Sequence, residues 1–200
     1  MARPSFKEQV LQAREEAIVA SVNRLLAEKG FDAMTVDEVV ADVGIGKASL
    51  YKHFTSKEEL AAAAMVRVLD RALDEVARLR SMDLDAVGRL KALARWTYEQ
   101  QIAGQMPALP SQSSSLRGAL MGDKGYMDRL MQLSDELGGW ITEAQAAGRL
   151  DATVPPELVL YLLYARACDP VLGVMRASGS HSDAQVVTWL VEHCFRGLGA

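Results

Sequence analysis

Two helix-start signatures fix the layout of the segment TVDEVVADVGIGKASLYKHFTSKEEL, Thr35 to Leu60. Thr35 is followed three positions later by Glu38, and Ser56 by Glu59. In such a box the hydroxyl bonds an orphan amide near the helix start, and the carboxylate reaches back to the capping residue's own amide. Between the boxes, Val36, Val39, Val40 and Val43 recur at the spacing of one buried helix face. Gly44-Ile45-Gly46 then breaks that helix, and a second helix is predicted from Lys47 to Phe54 with Leu50 and Phe54 as its apolar anchor. A short helix, a glycine-containing turn and a second helix make a helix-turn-helix.

The second helix is crowded with hydrogen-bonding and basic side chains. Lys47, Ala48, Ser49, Tyr51, Lys52 and His53 surround its anchor, and Gly44 to Lys57 contains three lysines, one histidine and no acid. A DNA-reading helix needs small residues at its N-terminus, so that backbone can approach base edges, and basic or hydroxyl groups along it to meet phosphates. An ordinary helical hairpin with a solvated basic face also fits three lysines, and charge alone does not choose between the two.

Charge narrows the choice of mechanism. The net charge is −4, which argues against nucleic-acid binding by bulk electrostatics. Residues 1–57 hold eight Lys/Arg and eight Asp/Glu, leaving 14 and 18 of the chain's 22 and 26 for residues 58–200. Any DNA contact must therefore rest on a local basic patch and on helix termini, with the acidic remainder held away from the duplex. At 200 residues and 50% hydrophobic content the chain can bury a sizeable core in one or two domains. Cys168 and Cys194 are the only cysteines and read as small apolar core residues. With no secretory signal visible, a reducing cytoplasmic setting is expected. No uninterrupted apolar run approaches the roughly 18 to 20 residues of a membrane span, Leu158 to Ala165 being the closest.

Met1 to Ser5 forms a short arm with Arg3 and Pro4; an arginine so placed can enter a minor groove, though most short termini do not. A helix follows from Phe6 to Lys29, stopped by Gly30. From Lys57 a long helix runs to about Arg80, and another, capped by Ser81 or Asp83, reaches about Ala103. GQMPALPSQSSS, Gly104 to Ser115, is the clearest loop. Short and long helices follow over Leu116–Leu120 and Tyr126–Ala147, with Gly138-Gly139 weakening the second. Pro155-Pro156 opens a helix running to about Ala177, apolar on most sides and kinked at Asp169-Pro170. Ser182 to about Leu198 closes the chain. No segment has strand periodicity, so the fold class is all-α with about nine helices.

The stretch EKGFDAMTVDEVVADVGIGKASLYKHFTSKEEL, Glu28 to Leu60, resembles the TetR family of bacterial transcriptional repressors. Gly30-Phe31, Thr35, Gly44, Leu50-Tyr51, His53-Phe54 and Ser56 to Leu60 match the family's pattern. Gly46 departs from it, standing where the family usually has a capping serine or threonine; Ala48 and Ser49 are milder changes. With the first helix included, the likeness covers about a third of the chain, and the remainder matches only in helix count, length and order.

The resemblance implies a three-helix DNA-binding domain at 1–57 and a helical effector-binding and dimerisation domain at 58–200. Thr35 would contact backbone phosphate at its helix start. Lys47, Ala48 and Ser49 would lie in the major groove, Gly46 would count among the DNA-binding residues without the hydroxyl that could touch a phosphate, and Tyr51, Lys52, His53 and Lys57 would grip phosphates. The last two helices would pair with those of a second copy through Leu158, Leu162, Ala165, Val187, Leu190, Val191, Cys194 and Leu198. A filled monomer core is the plain alternative for the same faces.

Seven methionines and two tryptophans between residues 65 and 175 suit either an adaptable core or an apolar effector pocket. Candidate lining residues are Met65, Leu69, Leu93, Trp96, Gln100 and Met121, with Met127, Met131, Trp140, Tyr161, Tyr164 and Arg166. Arg166 lies in the most apolar helix and needs an acid such as Asp169, the dimer mate or an anionic ligand. The function implied is a ligand-responsive regulator that binds a palindromic operator as a homodimer and is released by a small apolar effector. A helical DNA-binding or protein-interaction module without a sensor is the alternative. GxxxxGK[ST], GxGxxG, HExxH and GxSxG are all absent and the three histidines are scattered. Neither an enzyme, a cofactor, a metal nor a membrane partner is expected.

Overall fold

The computed structural model describes residues 5–107 and 115–199, Lys7 without its side chain. The arm around Arg3 and Pro4, and most of the Gly104–Ser115 loop, fall outside the described residues. All regular structure within them is helical: α1 (Phe6–Ala33), α2 (Val36–Val43), α3 (Lys47–Leu50), α4 (Lys57–Arg80), α5 (Ala86–Ile102), α6 (Ser115–Gly122), α7 (Lys124–Ala146), α8 (Pro156–Arg166), α9 (Pro170–Ser178) and α10 (Asp183–Arg196). The chain divides into a first compact unit, Met1–Val68 with Pro107–Met127, and a second, Leu69–Met106 with Asp128–Ala200.

In the first unit the core is built from α1 inward. Ile18, Val22 and Leu26 are buried, whereas the described side chains from Ser5 to Ala17 are all exposed. Gly30, at φ 76° and ψ 174°, interrupts the helical backbone of α1 where a stop is predicted. That bend carries Phe31 and Met34 into the core beside Val39, Leu50, Phe54 and Leu60. A positive φ of this kind favours glycine.

Capping chemistry then places α2. The Thr35 hydroxyl accepts from the Glu38 amide at 3.3 Å, and the Glu38 carboxylate accepts from the Thr35 amide at 2.9 Å. Gly44, left-handed at φ 72°, ends the helix. The second predicted box is offset by one residue. Ser56 does accept from the Glu59 amide at 3.0 Å, but the Glu59 carboxylate accepts from the amide and hydroxyl of Thr55, both at 2.6 Å. Regular α-helix in α3 stops at Leu50 rather than Phe54; Lys52 and His53 donate three residues back, to Ser49 and Leu50, in a tighter turn.

In the second unit α10 packs against α5 and α9, and α5 against α8. Asp85, not Ser81 or Asp83, caps α5 by accepting from the Gly88 amide at 2.7 Å. Gly138-Gly139 leaves α7 unbroken, because Leu137, Trp140 and Ile141 around it are all buried. The helix predicted from 157 to 177 is two helices. Pro170 has no amide to continue the first, and Asp169 caps the second by accepting from the Val171 amide at 3.0 Å. That division accounts for ten helices among the described residues where about nine are expected. By length and composition Pro156–Ser178 is apolar enough to cross a bilayer, which counting uninterrupted apolar residues misses. Its ladder is nonetheless interrupted around Asp169, and Arg166 and Asp169 are paired within it at 2.7 Å.

Lys29 also donates to Glu38. First this ammonium, then the hydroxyl and amide of Thr35, hold the Glu38 carboxyl down at about 2. A depressed folded pKa means that the box contributes stability above the ordinary carboxylate range and loses it as pH falls towards 2. Glu38→Gln should therefore flatten the pH dependence of the melting temperature between about pH 4.5 and 2, which thermal denaturation across that range would read. An unchanged slope would show that Glu38 is not held in this box.

Candidate nucleic-acid interface

A helix of four residues has too few internal hydrogen bonds to hold itself. Tertiary burial does it for α3: Leu50 is fully buried and Phe54 nearly so, each contributing about 2 kcal/mol. With those two turned inward, Gly46, Lys47, Ala48, Tyr51 and Lys52 are exposed, and Ser49 and His53 are half-buried. The resulting face is small at its N-terminal end and basic or aromatic beyond it. Gly46 is extended, at φ −81° and ψ 149°, and supplies no side-chain cap.

The cations near this face differ in what already holds them. Lys47 pairs with Asp37 of α2 at 2.7 Å, which raises the pKa of its ammonium and ties the start of α3 to the turn that follows Thr35. Both partners are exposed, and such a pair contributes only about 0 to 1 kcal/mol, so a phosphate or base edge can replace Asp37 at small cost. Lys57 donates to the Asp32 carbonyl at 3.4 Å and lies 4.4 Å above the Phe31 ring. Thr35 is likewise engaged, since its hydroxyl also donates to Glu38 at 2.8 Å. Among the described residues Lys52 has no ion pair, and neither has Arg14 of α1, whose Nη1 donates to the Ser49 hydroxyl at 3.4 Å. The sequence motif did not single out Arg14, because only the fold brings it to a helix 35 residues away.

The other predicted sites are less gathered. Met65, Met121 and Met127 belong to the first unit, and the remaining pocket candidates to the second. Leu69, Leu93 and Trp140 are buried; Trp96, Gln100 and Tyr164 are half-buried, and Tyr164 shares a 2.8 Å hydrogen bond with Ser134. Met121, Met131 and Tyr161 are surface residues, 59%, 60% and 66% exposed, which corrects their assignment to an interior lining. Arg166 takes the internal acid of its three possible partners. Asp169 accepts from Arg166 at 2.7 Å and from the hydroxyl of fully buried Tyr98 at 3.0 Å, while Gln101 donates to the Arg166 carbonyl at 2.6 Å. Burial, and then the Asp169 charge, push the Tyr98 hydroxyl well above the ordinary tyrosine range.

The predicted dimer residues also divide. Leu158 and Ala165 are exposed and Leu162, Leu190 and Cys194 half-buried, but Val187, Val191 and Leu198 are within the chain's own core. The apolar spacing of α10 had a nearer use, because α5 and α9 cover that stripe. Sequence reading did not pick out Val171, Val174 and Trp189, which are exposed instead.

The short capped α2, the glycine turn and α3 with its buried anchor make a helix-turn-helix. Residues 18–64 match the family described as bacterial regulatory proteins, tetR family. YerO of Bacillus subtilis, an HTH-type transcriptional regulator, is 30% identical over 79 residues, 40% of this chain but only 26% of that protein. The chain thus spans about a quarter of the length of such relatives. YdeS of Bacillus subtilis, also an HTH-type regulator, is 26% identical over 94% of this chain and 91% of its own. The fold is similar to that of FadR from Bacillus subtilis, solved in complex with stearoyl-CoA, with a TM-score of 0.68, 13% identity, and coverage of 92% and 98%. Residues 18–64 thus carry the segment by which the tetR family is described, and the likeness to YdeS extends over nearly the whole chain.

At Gly46 φ is negative and a Cβ would meet nothing within 4 Å. Gly46→Ser should therefore add the missing cap and stabilise the chain by a few tenths of a kcal/mol, up to about 0.5. Urea denaturation would read it, and a loss of stability would contradict the cap geometry.

Proposed function

We propose that the chain is a ligand-responsive transcriptional repressor that binds a palindromic operator as a homodimer and is released by a small, largely apolar effector. The observation that carries this reading is α3 itself: a helix pinned by Leu50 and Phe54 with its small and basic residues turned to solvent. Under this reading residues 1–57 read DNA through Lys47, Ala48 and Ser49 in the major groove, with Gly46 at the start of that helix. Thr35, Tyr51, Lys52, His53 and Lys57 serve the phosphates. Thr35 and Lys57 must first exchange Glu38, and Asp32 with Phe31, for those contacts.

Residues 58–200 would sense the effector and dimerise, and the protein would work in the cytoplasm. A palindromic site requires two reading helices about 34 Å apart, which one copy cannot supply. Support for a second copy comes from apolar residues left on the surface of the second unit: Leu158, Tyr161, Val171, Val174 and Trp189 are 42% to 69% exposed. The seam is accordingly drawn through these, with Leu162, Ala165, Leu190 and Cys194, rather than through Val187, Val191 and Leu198. The FadR complex with stearoyl-CoA supports an effector with a long apolar portion. Release would be a population shift in which the helix beginning at Lys57 re-aims the reading helix.

Tyr161→Glu combined with Val174→Glu should give a monomer in analytical ultracentrifugation. Operator affinity should fall by at least about 100-fold, because the second half-site is no longer bound intramolecularly. A stable dimer with full affinity would show that the seam lies elsewhere. Titrating stearoyl-CoA, palmitate and hydrophilic controls into the operator complex, followed by fluorescence anisotropy, should show release by the apolar compounds alone. Release by none of them would remove the apolar effector from the account.

A further inference from the structure

Few of the cations described up to Lys57 are available to DNA. Of the basic side chains described up to Lys57, Arg24 is paired with Glu28 and Asp42 at 2.8 Å each, Lys29 with Glu38, and Lys47 with Asp37. Lys57 is taken up by Asp32 and Phe31. Arg14 and Lys52 are left, both exposed, and only Lys52 is in the helix-turn-helix.

Arg14 stands in the outer turns of α1, where every described side chain from Ser5 to Ala17 is exposed. No acid holds it. Nearby Glu8 serves as the capping partner of Ser5, and Glu16 faces Gln12 and Arg67. Its guanidinium instead crosses to α3 and meets the Ser49 hydroxyl at 3.4 Å, a long bond to a neutral partner that a phosphate oxygen would readily displace. Ser49 is the last residue before the buried anchor Leu50, so this contact sets the guanidinium at the edge of the reading face rather than at its tip.

We propose that Arg14 is a DNA-binding residue outside the helix-turn-helix, a guanidinium on α1 that clamps a backbone phosphate flanking the reading helix. The assignment rests on the reading of α3 as the DNA-contacting helix. A phosphate clamp holds the duplex in register without reading sequence, and it releases condensed counterions when it forms. In a free chain with net zero charge over residues 1–57, such a contact adds to Lys52 an attraction that Lys47 and Lys57, occupied by Asp37 and Phe31, do not supply.

The test is a salt series on the full chain, from about 50 to 200 mM, using an operator duplex and an unrelated duplex. The chains compared are the wild type, Arg14→Ala, Arg14→Lys and Lys52→Ala. Arg14→Ala should weaken binding roughly eight-fold for each protomer engaged near 0.1 M salt. It should act equally on both duplexes and lower the salt slope by about one unit per protomer. Arg14→Lys should keep the wild-type slope. A fall in affinity with unchanged slope would mean that Arg14 only steadies Ser49, and a changed base preference would make it a base reader; either overturns the proposal. If the wild type binds and Lys52→Ala lowers the slope while Arg14→Ala does not, the Arg14 assignment alone fails. If the wild type binds no duplex, the reading of α3 fails with it.

Discussion

Burial of Leu50 and Phe54 is the interaction on which the remaining architecture depends. The four residues of α3 cannot sustain a helix alone, and Gly46 gives them no side-chain cap. Two side chains sunk in the first unit's core fix the helix and decide which residues around it meet solvent. Everything nearby supports that placement. Gly30 bends the end of α1 so that Phe31 and Met34 enter the same core, the Thr35–Glu38 box starts α2, and left-handed Gly44 turns the chain towards α3. The cost of leaving Gly46 uncapped is small beside the burial of Leu50.

Charge is distributed with similar economy. A segment with as many acids as bases can approach a polyanion only if its bases are arranged locally. Most of its cations are used inside the fold: Lys29 depresses the Glu38 carboxyl and strengthens the box, Lys47 bridges α2 and α3, and Lys57 covers Phe31. The ion pairs of Lys29 and Lys47 lie at the surface and are weak, so DNA can compete for their members. The Arg166–Asp169–Tyr98 cluster is a different case. It is sheltered, hydrogen-bonded on each member and built around the break between α8 and α9, where it satisfies the carboxylate that Pro170 and the cap at Val171 bring into the interior.

The helix-turn-helix was legible in the sequence because its signals are local. Thr35 to Glu38, Gly44 and the Leu50–Phe54 pair each act over a few residues, and periodicity shows which side is apolar. What could not be read was which apolar stripe meets which neighbour. Val187, Val191 and Leu198 show the same spacing whether α5 or a second copy covers them, and contact with the chain's own core decided it. Residue type alone suits Met131 and Tyr161 to a pocket lining, yet both are on the surface. Asp169-Pro170 gave a kink in prospect and a full break in fact, because an aspartate before proline caps as well as interrupts. The pairing of Lys47 with Asp37 and of Arg14 with Ser49 depends on how separate helices come together, which no motif encodes.

The central claim is that α3 reads DNA from a twofold pair of chains. It is tested most directly by selecting binding sites from a random duplex library with the wild type and with Lys47→Ala. The account predicts a palindromic consensus with half-sites about one helical turn apart, and relaxed preference at one symmetry-related position in the variant. Failure to enrich any consensus, or an asymmetric site whose preference Lys47→Ala leaves untouched, would contradict it.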